Sequence, residues 1–397
     1  MKTGKILMLC ISFVFFSCSS GDDTPPPMIG GPTQGGTGGE STGGETGGGS
    51  TGGTTDPLLY DATENLKDVA EFPIGNVISA ARLAGTSDND VARKDILNTE
   101  YNSITAENDM KMANIFTAAD TYDFSDGDAI VAYAKANGLR VHGHALIWHS
   151  SIPGWLNSFS GTDEEFETLV ENYVKATVAH FAEEKDTDGN SIVASWDVVN
   201  EYFDGGTIRS SIFSQRIGDD FMDKAFAWAR EADADVKLFY NDYNIAGEVG
   251  KRSQIINKVN EMITNNVPID GIGMQMHLNH NWPNTDLPTA IQEISDTGLL
   301  VHVSELDVKA NYNDDVTELT QERAEEQENQ YQRAGYYYTA IVPVAQQFGI
   351  TVWGFRDTES WLYDGGGDWP LLYDGEFMTK ISHRGLINGL DGEDPGN

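Results

Sequence analysis

The chain has 397 residues, with 62 acidic against 25 basic side chains, a formal net charge of −37 and 39% hydrophobic residues, enough for one large domain or two modest ones. Such a charge repels a phosphate backbone, and no run of Lys and Arg overrides it, so nucleic acid is excluded and a neutral or cationic ligand is expected. Both cysteines, Cys10 and Cys18, lie near the start, which excludes a disulfide framework, a thiolate nucleophile and a thiolate metal site from the body.

Lys2 and Lys5 precede the apolar run Ile6–Phe16, which has the length of a signal-peptide core and is too short to span a bilayer. Phe15-Phe16-Ser17-Cys18 resembles a bacterial lipoprotein cleavage box. Residues 1–17 are therefore expected to be a signal peptide and Cys18 the lipidated residue that anchors the chain to a membrane. Asp22-Asp23 resembles the surface-export signal of Bacteroidetes lipoproteins, which implies an outer-membrane or cell-surface location with the body outside the cytoplasm. Residues 18–57 are Gly, Ser, Thr, Pro and acid with almost nothing apolar, and read as a disordered tether.

From residue 58 to 397 short β-branched or apolar runs alternate with longer amphipathic stretches. Strands are expected over Ile74–Ala80, Ser103–Ala106, Arg140–Leu146, Val193–Asn200, Val236–Asn241, Gly271–Met276, Leu299–Glu305 and Ile350–Phe355. Helices are expected over Ala129–Asn137, Glu164–Glu183, Phe221–Ala232, Gly250–Asn265 and Glu322–Phe348. Eight alternations without a Gly-rich phosphate turn after the first strand predict an α/β fold, a single (β/α)₈ TIM barrel.

In such a barrel the chemistry sits at the carboxyl ends of the strands, and nearly every predicted strand here runs into polar residues. They are Glu107-Asn108-Asp109, then His142, His144, Trp148 and His149, then Asn200-Glu201, Asn241-Asp242-Tyr243, Gln275 and His277, Glu305 and Asp307, and finally Trp353, Arg356 and Trp361. Two strand-end glutamates, Glu201 and Glu305, with no nucleophilic serine elbow, fit glycoside hydrolysis. That reaction needs one carboxyl to protonate the leaving oxygen and another to attack or to activate water. Asp307 lies on the same face of an extended segment as Glu305, and His277 could bridge the two and hold Glu305 ionised as nucleophile. Glu201 follows the nearly uncharged stretch Ile192–Val199, where desolvation would keep it protonated as the acid. Trp148, Trp353, Trp361 and Tyr243 supply flat apolar faces that suit pyranose rings.

Thr105–Lys111, Gly143–Ser150, Trp196–Glu201, Asn241–Asn244, Gly273–His277, Ser304–Asp307 and Trp353-Gly354 through Trp361 resemble, in order, the motifs of glycoside hydrolase family 10, the endo-β-1,4-xylanases. The resemblance covers residue 58 to about 390. It implies a retaining mechanism without cofactor or metal, acting on xylan or xylo-oligosaccharides, with Glu201 as acid/base and Glu305 as nucleophile. It further implies that Asn200 holds the 2-hydroxyl of the attacked sugar and that Glu107, Asn108 and Lys111 bind the next sugar out. His144, Trp148, Gln275, His277, Trp353 and Trp361 would wall the cleaved site, with Tyr243 also on the substrate and His149 and Asp307 in support. A non-prolyl cis peptide at His144–Ala145 and a monomeric chain are also expected.

The sequence departs from the family pattern at Ser151, where Gln is frequent, at Ser304, where Thr is usual, and at Lys380-Ile381-Ser382, where Lys-Pro-Ala is usual. The first would remove a hydrogen bond to the second glycone sugar, and the last touches the packing of the final helix. Gly365–Trp369 is expected to form a mobile rim. Three other readings stand beside the xylanase: a metal hydrolase using His142 and His144, a non-catalytic glycan-binding protein, and a β-1,4-glucanase or transglycosidase on the same site. Asp186-x-Asp188-Gly189-Asn190 faintly resembles a calcium loop but reads better as a turn.

Overall fold

The computed structural model describes residues 56–283 and 285–396. The leader, Cys18 and the Gly-rich segment through residue 55 lie outside the described residues.

Eight parallel strands close on themselves. They are β1 (Ile74–Ile78), β2 (Ser103–Ala106), β3 (Arg140–Gly143), β4 (Val193–Asn200), β5 (Lys237–Tyr243), β6 (Gly271–Gln275), β7 (Leu300–Lys309) and β8 (Gln347–Val352). Each pairs with its sequence neighbour, and β8 pairs with β1, so no edge is left open. The principal helices packed outside are α1 (Asp88–Glu100), α2 (Ser125–Asn137), α3 (Asp163–Ala182), α4 (Phe221–Ala232), α5 (Val249–Thr264), α6 (Leu287–Ser295), α7 (Gln321–Ile341) and α8 (Ile381–Leu390). This is the expected (β/α)₈ barrel.

Local chemistry sets many of the boundaries. Capping boxes start α1 (Ser87 with Asp90) and α3 (Thr162 with Glu165), and Gly138 ends α2 in the left-handed conformation at φ 68°. The helix expected over Glu322–Phe348 is shorter, because Pro343 forces Val342 out of helical geometry (ψ 120°). The chain then re-enters as β8 at Gln347, three residues before the expected start. The third strand ends at Gly143, and a separate two-residue strand, Ile147–Trp148, pairs with β4 beyond the cis His144–Ala145 bond. Strand β7 runs four residues past Glu305, to Lys309.

The barrel interior is filled from the bottom by aromatic and polar side chains. Arg140 sits 4.0 Å from the Phe348 ring and donates to the Phe348 carbonyl at 2.7 Å. Above it His142, His302, Phe239 and Phe348 pack ring against ring. Beside the start of α8, Tyr60 N–H donates to the Thr379 carbonyl and Ile381 N–H to the Leu58 carbonyl at 3.0 Å, while Ser382 Oγ donates to the Leu371 carbonyl at 3.1 Å. The change from Pro-Ala to Ile381-Ser382 thus adds two hydrogen bonds that the usual pair lacks the donors to make. The segment Gly365–Trp369 is not a free rim. The buried Asp368 carboxylate accepts the N–H groups of Ala310 (2.7 Å), Asn311 (3.1 Å) and Trp369 (2.8 Å), and Asn311 Nδ2 holds the Gly367 carbonyl at 2.8 Å. Asp186 takes the N–H groups of Asp188 and Asn190, forming a turn.

Candidate active site

Two irregularities aim the side chains at the top of the barrel. Between Val303 and Leu306 the register of β7 against β8 shifts by one residue, which turns consecutive residues Ser304 and Glu305 both toward Asn241. A similar shift in β4 against β5, between Asp197 and Val199, lets Asp197 and Asn200 both face inward although alternation would separate them. Asn200, Asn241 and Gly273 lie in one row across β4, β5 and β6. The row needs Gly273, since a Cβ there would lie 2.3 Å from Asn241 Oδ1.

Glu305 is buried. One carboxylate oxygen accepts from Asn241 Nδ2 at 2.7 Å and the other faces His277 Nε2 at 3.2 Å. His277 Nδ1 meets Asp307 Oδ1 at 3.0 Å, and the second oxygen of Asp307 accepts from Trp361 Nε1 at 2.9 Å. Burial by itself would lower the His277 pKa, but Asp307 and Glu305 outweigh it and push it up to about 10. Burial would likewise raise Glu305, yet the hydrogen bond from His277 and the nearby His144 and His277 charges hold it below the ordinary carboxylate range.

Glu201 stands in the opposite environment. Burial lifts its pKa above the usual range and the negative Asp242 and Glu305 add to the lift, with Trp148 and Arg209 opposing only in part. His149 Nδ1 lies 3.8 Å from the Glu201 carboxylate. Burial and then Arg209 push His149 down to about 4, so it is neutral beside the Glu201 carboxyl at neutral pH. Two carboxyls with pKa values driven apart are what an acid and a nucleophile require.

The floor and walls form from the other expected residues. The Asn200 carbonyl accepts from both Asn241 Nδ2 (3.0 Å) and Gln275 Nε2 (2.9 Å), which leaves its own NH₂ as the donor for a bound hydroxyl. Lys111 Nζ donates to Asn108 Oδ1 at 2.9 Å and lies 4.8 Å from the Trp148 ring centroid. Trp353 packs edge-on to His144 at 5.5 Å, and Trp361, 59% exposed, packs edge-on to His277 at 5.0 Å. A cleft open to solvent lies among Glu107, Trp353 and Trp361. The Tyr243 hydroxyl accepts from Arg209 at 2.9 Å, and Lys251 Nζ sits 3.0 Å from its ring centroid. Ser151 is buried, with its N–H on the Trp148 carbonyl.

Three residues of this network carry roles that the sequence did not assign them. Asn241 orients Glu305 and Asn200, and its own amide is fixed by Ser304 Oγ donating to Oδ1 at 2.6 Å. Its sequence signal is Gly273, a mid-strand glycine that has to make room for something. Asp197 takes His142 Nε2 at 3.0 Å and His144 Nδ1 at 2.8 Å. These two histidines hold its pKa below the usual carboxylate range although burial opposes them. Arg209 arrives from a hairpin whose length gives no clue that it folds back. The His142–His144 pair of the metal-hydrolase reading is therefore engaged on Asp197. Among the described residues no group of three or more His, Cys, Asp or Glu is arranged to hold a metal ion.

The comparisons agree with this geometry. The model of glycosyl hydrolase family 10 matches residues 62–388. The chain is 34% identical over 365 residues to endo-1,4-beta-xylanase A of Cellvibrio japonicus, covering 83% of this chain and 57% of that relative. It is 34% identical over 302 residues to the beta-1,4-xylanase of Dictyoglomus thermophilum, covering 72% of this chain and 81% of that one. Among solved structures, a mutant of xylanase 10C from Cellvibrio japonicus in complex with xylopentaose superposes with a TM-score of 0.79 at 32% identity, covering 85% of this chain and 71% of that one. The chain thus spans little more than half of the first of these relatives. With seven ordered motifs, a closed barrel and a matching family model over most of its length, the chain belongs to glycosyl hydrolase family 10.

Proposed function

We propose that the protein is an endo-β-1,4-xylanase that cleaves internal bonds of xylan with retention of configuration. The carrying observation is the pair of strand-end glutamates in opposed environments, Glu305 bonded to Asn241 and drawn below the usual carboxylate range by His277, and Glu201 lifted above that range by burial. In this reading Glu305 attacks the anomeric carbon as Glu201 protonates the departing oxygen. Glu201, now a carboxylate, then takes a proton from water, which attacks the glycosyl ester and releases Glu305. Asn200 holds the 2-hydroxyl of the attacked sugar. Glu107, Asn108 and Lys111 take the next sugar out, and Trp148, Trp353 and Trp361 stack on the rings. The xylanases it resembles support the substrate.

The test is oligosaccharide release from xylan beside β-glucan, with a chelator arm. Short xylo-oligosaccharides in both arms, absent for Glu305→Ala, are expected. Preferential cleavage of β-glucan would make it a glucanase, chelator-sensitive release a metal enzyme, and no release a binding protein. Glu201→Ala is expected to lose roughly 10³-fold on xylan while still forming a glycosyl intermediate from an activated aryl xylobioside. Equal loss on both substrates would remove its acid role.

The full chain is proposed to act as a monomer tethered to a membrane through lipid on Cys18, at the outer membrane or cell surface. The lipobox-like Phe15–Cys18 and the adjacent Asp22-Asp23 support this. Incorporation of labelled fatty acid that disappears in Cys18→Ser is the expected result.

A further inference from the structure

One arginine ties the end of β4 together. Glu201 leaves the strand in left-handed backbone, φ 60°, which a residue with a Cβ holds only if its surroundings fix it. The chain then turns through a hairpin of Phe203–Asp204 against Thr207–Ile208, and the hairpin delivers Arg209, whose N–H donates to the Tyr202 carbonyl at 2.8 Å. Its guanidinium spreads over the loop. Nε donates to the Glu201 carbonyl at 3.1 Å, and Nη2 donates to the Phe203 carbonyl at 3.2 Å and to the Tyr243 hydroxyl at 2.9 Å. The same Nη2 lies 4.0 Å from Glu201 Oε2, and Nη1 lies 3.7 Å from Asp204.

We propose that Arg209 is a positioning residue for the proton-transferring glutamate, its planar fork holding the strained Glu201 peptide and the Tyr243 hydroxyl in one frame while its charge faces the Glu201 carboxylate. The inference rests on the acid/base reading of Glu201. Geometry argues for a fork rather than a simple charge, because the three short bonds go to two carbonyls and a phenol and leave the carboxylate at ion-pair distance. Arg209 is also the permanent cation at ion-pair distance from the Glu201 carboxylate. The other groups around Glu201 are neutral His149 and Trp148, the acids Glu305 and Asp242, the more distant cation Lys251 and, beyond Arg209, Asp204. Asp242 is already matched by Lys251 Nζ at 2.6 Å and by the Tyr240 hydroxyl. When Glu201 gives up its proton to the leaving group, Arg209 is the cation at ion-pair distance from the new carboxylate, while Lys251 stays bound to Asp242, and Arg209 holds that carboxylate for the water step.

The experiment compares kcat/KM of wild type, Arg209→Ala and Arg209→Lys on xylan and on an aryl xylobioside whose leaving group needs no proton, each across pH, with Glu201→Ala in parallel. Arg209→Ala is expected to fall about 10²-fold on xylan, far less on the activated substrate, and to carry the basic limb of its profile to higher pH because Glu201 loses its cation. Arg209→Lys should return the limb toward wild type but leave xylan cleavage depressed, since an ammonium cannot make the fork. Added guanidinium should recover part of the Arg209→Ala loss. Equal losses on the two substrates with an unmoved basic limb would reduce Arg209 to a structural strut and overturn the inference, as would full activity of Arg209→Ala. If Arg209→Ala fails to fold, the Arg209→Lys profile decides, because a wild-type rate on xylan there contradicts the fork. Glu201→Ala separates the two readings: no dependence on leaving group in that variant sinks the acid/base assignment itself.

Discussion

Asn241 shows how much of the site hangs on side chains that do not touch the reacting bond. Its amide donates to Glu305 and to Asn200, and Ser304 fixes which way it points. Asn241→Ala is expected to lower kcat on xylan by roughly 10²-fold with little change in KM, the signature of a lost positioning group. A changed KM at constant kcat would contradict it. The His277 bridge makes a separate prediction. Its folded pKa, about 10, is raised above the ordinary 6.5, so the stability it contributes is fully present below pH 6.5 and is lost as pH rises through 10. Wild type should exceed His277→Ala by about 3 kcal/mol in urea unfolding at pH 6.5, and the difference should shrink steadily toward pH 10. Because Glu305 loses a donor in that variant, the acidic limb of its activity should also move to higher pH.

At the scale of elements, the strands are aimed by their faults as much as by their regularity. Strict alternation along β7 would send Ser304 and Glu305 to opposite faces, and only the register shift at Val303/Leu306 brings both to Asn241. No sequence pattern marks that shift, and it is why the sequence gives no sign of a role for Ser304. The loop after β8 was misread for a related reason. Three consecutive glycines before Asp368 suggest mobility, but what decides is the buried carboxylate that gathers three N–H groups, two from just past the end of β7 and one from its own loop. Asp368→Ala should cost about 3 kcal/mol and speed amide hydrogen exchange across 357–369, a loop that carries Trp361. Unchanged exchange there would mean that the glycines dominate.

The molecule as a whole carries a large excess of negative charge. With a net −37 the folded state repels itself, and screening should relieve that. Raising salt from about 0.01 to about 0.15 M, which shortens the Debye length from about 30 to about 8 Å, is expected to raise Tm by a few degrees. The kcat/KM on neutral xylo-oligosaccharides should stay unchanged, since an uncharged substrate is not steered. A steep salt dependence of kcat/KM would instead point to a charged substrate.

Fold class was written in the chain at low resolution, since eight apolar runs separated by helical stretches admit few closures and each run is long enough to announce itself. The positions of Glu107, Glu201 and Glu305 at strand ends were readable for the same reason. What the sequence could not carry was everything that depends on residues distant along the chain meeting at a set spacing. The Asn200–Asn241–Gly273 row, the return of Arg209 onto Glu201, the clasp of Ile381 on Leu58 and the capture of Asp368 are all of this kind. Periodicity reports which face of one element is buried, whereas the pKa of a carboxyl and the direction of an amide are set by neighbours from other elements, and these exist only once the barrel has closed.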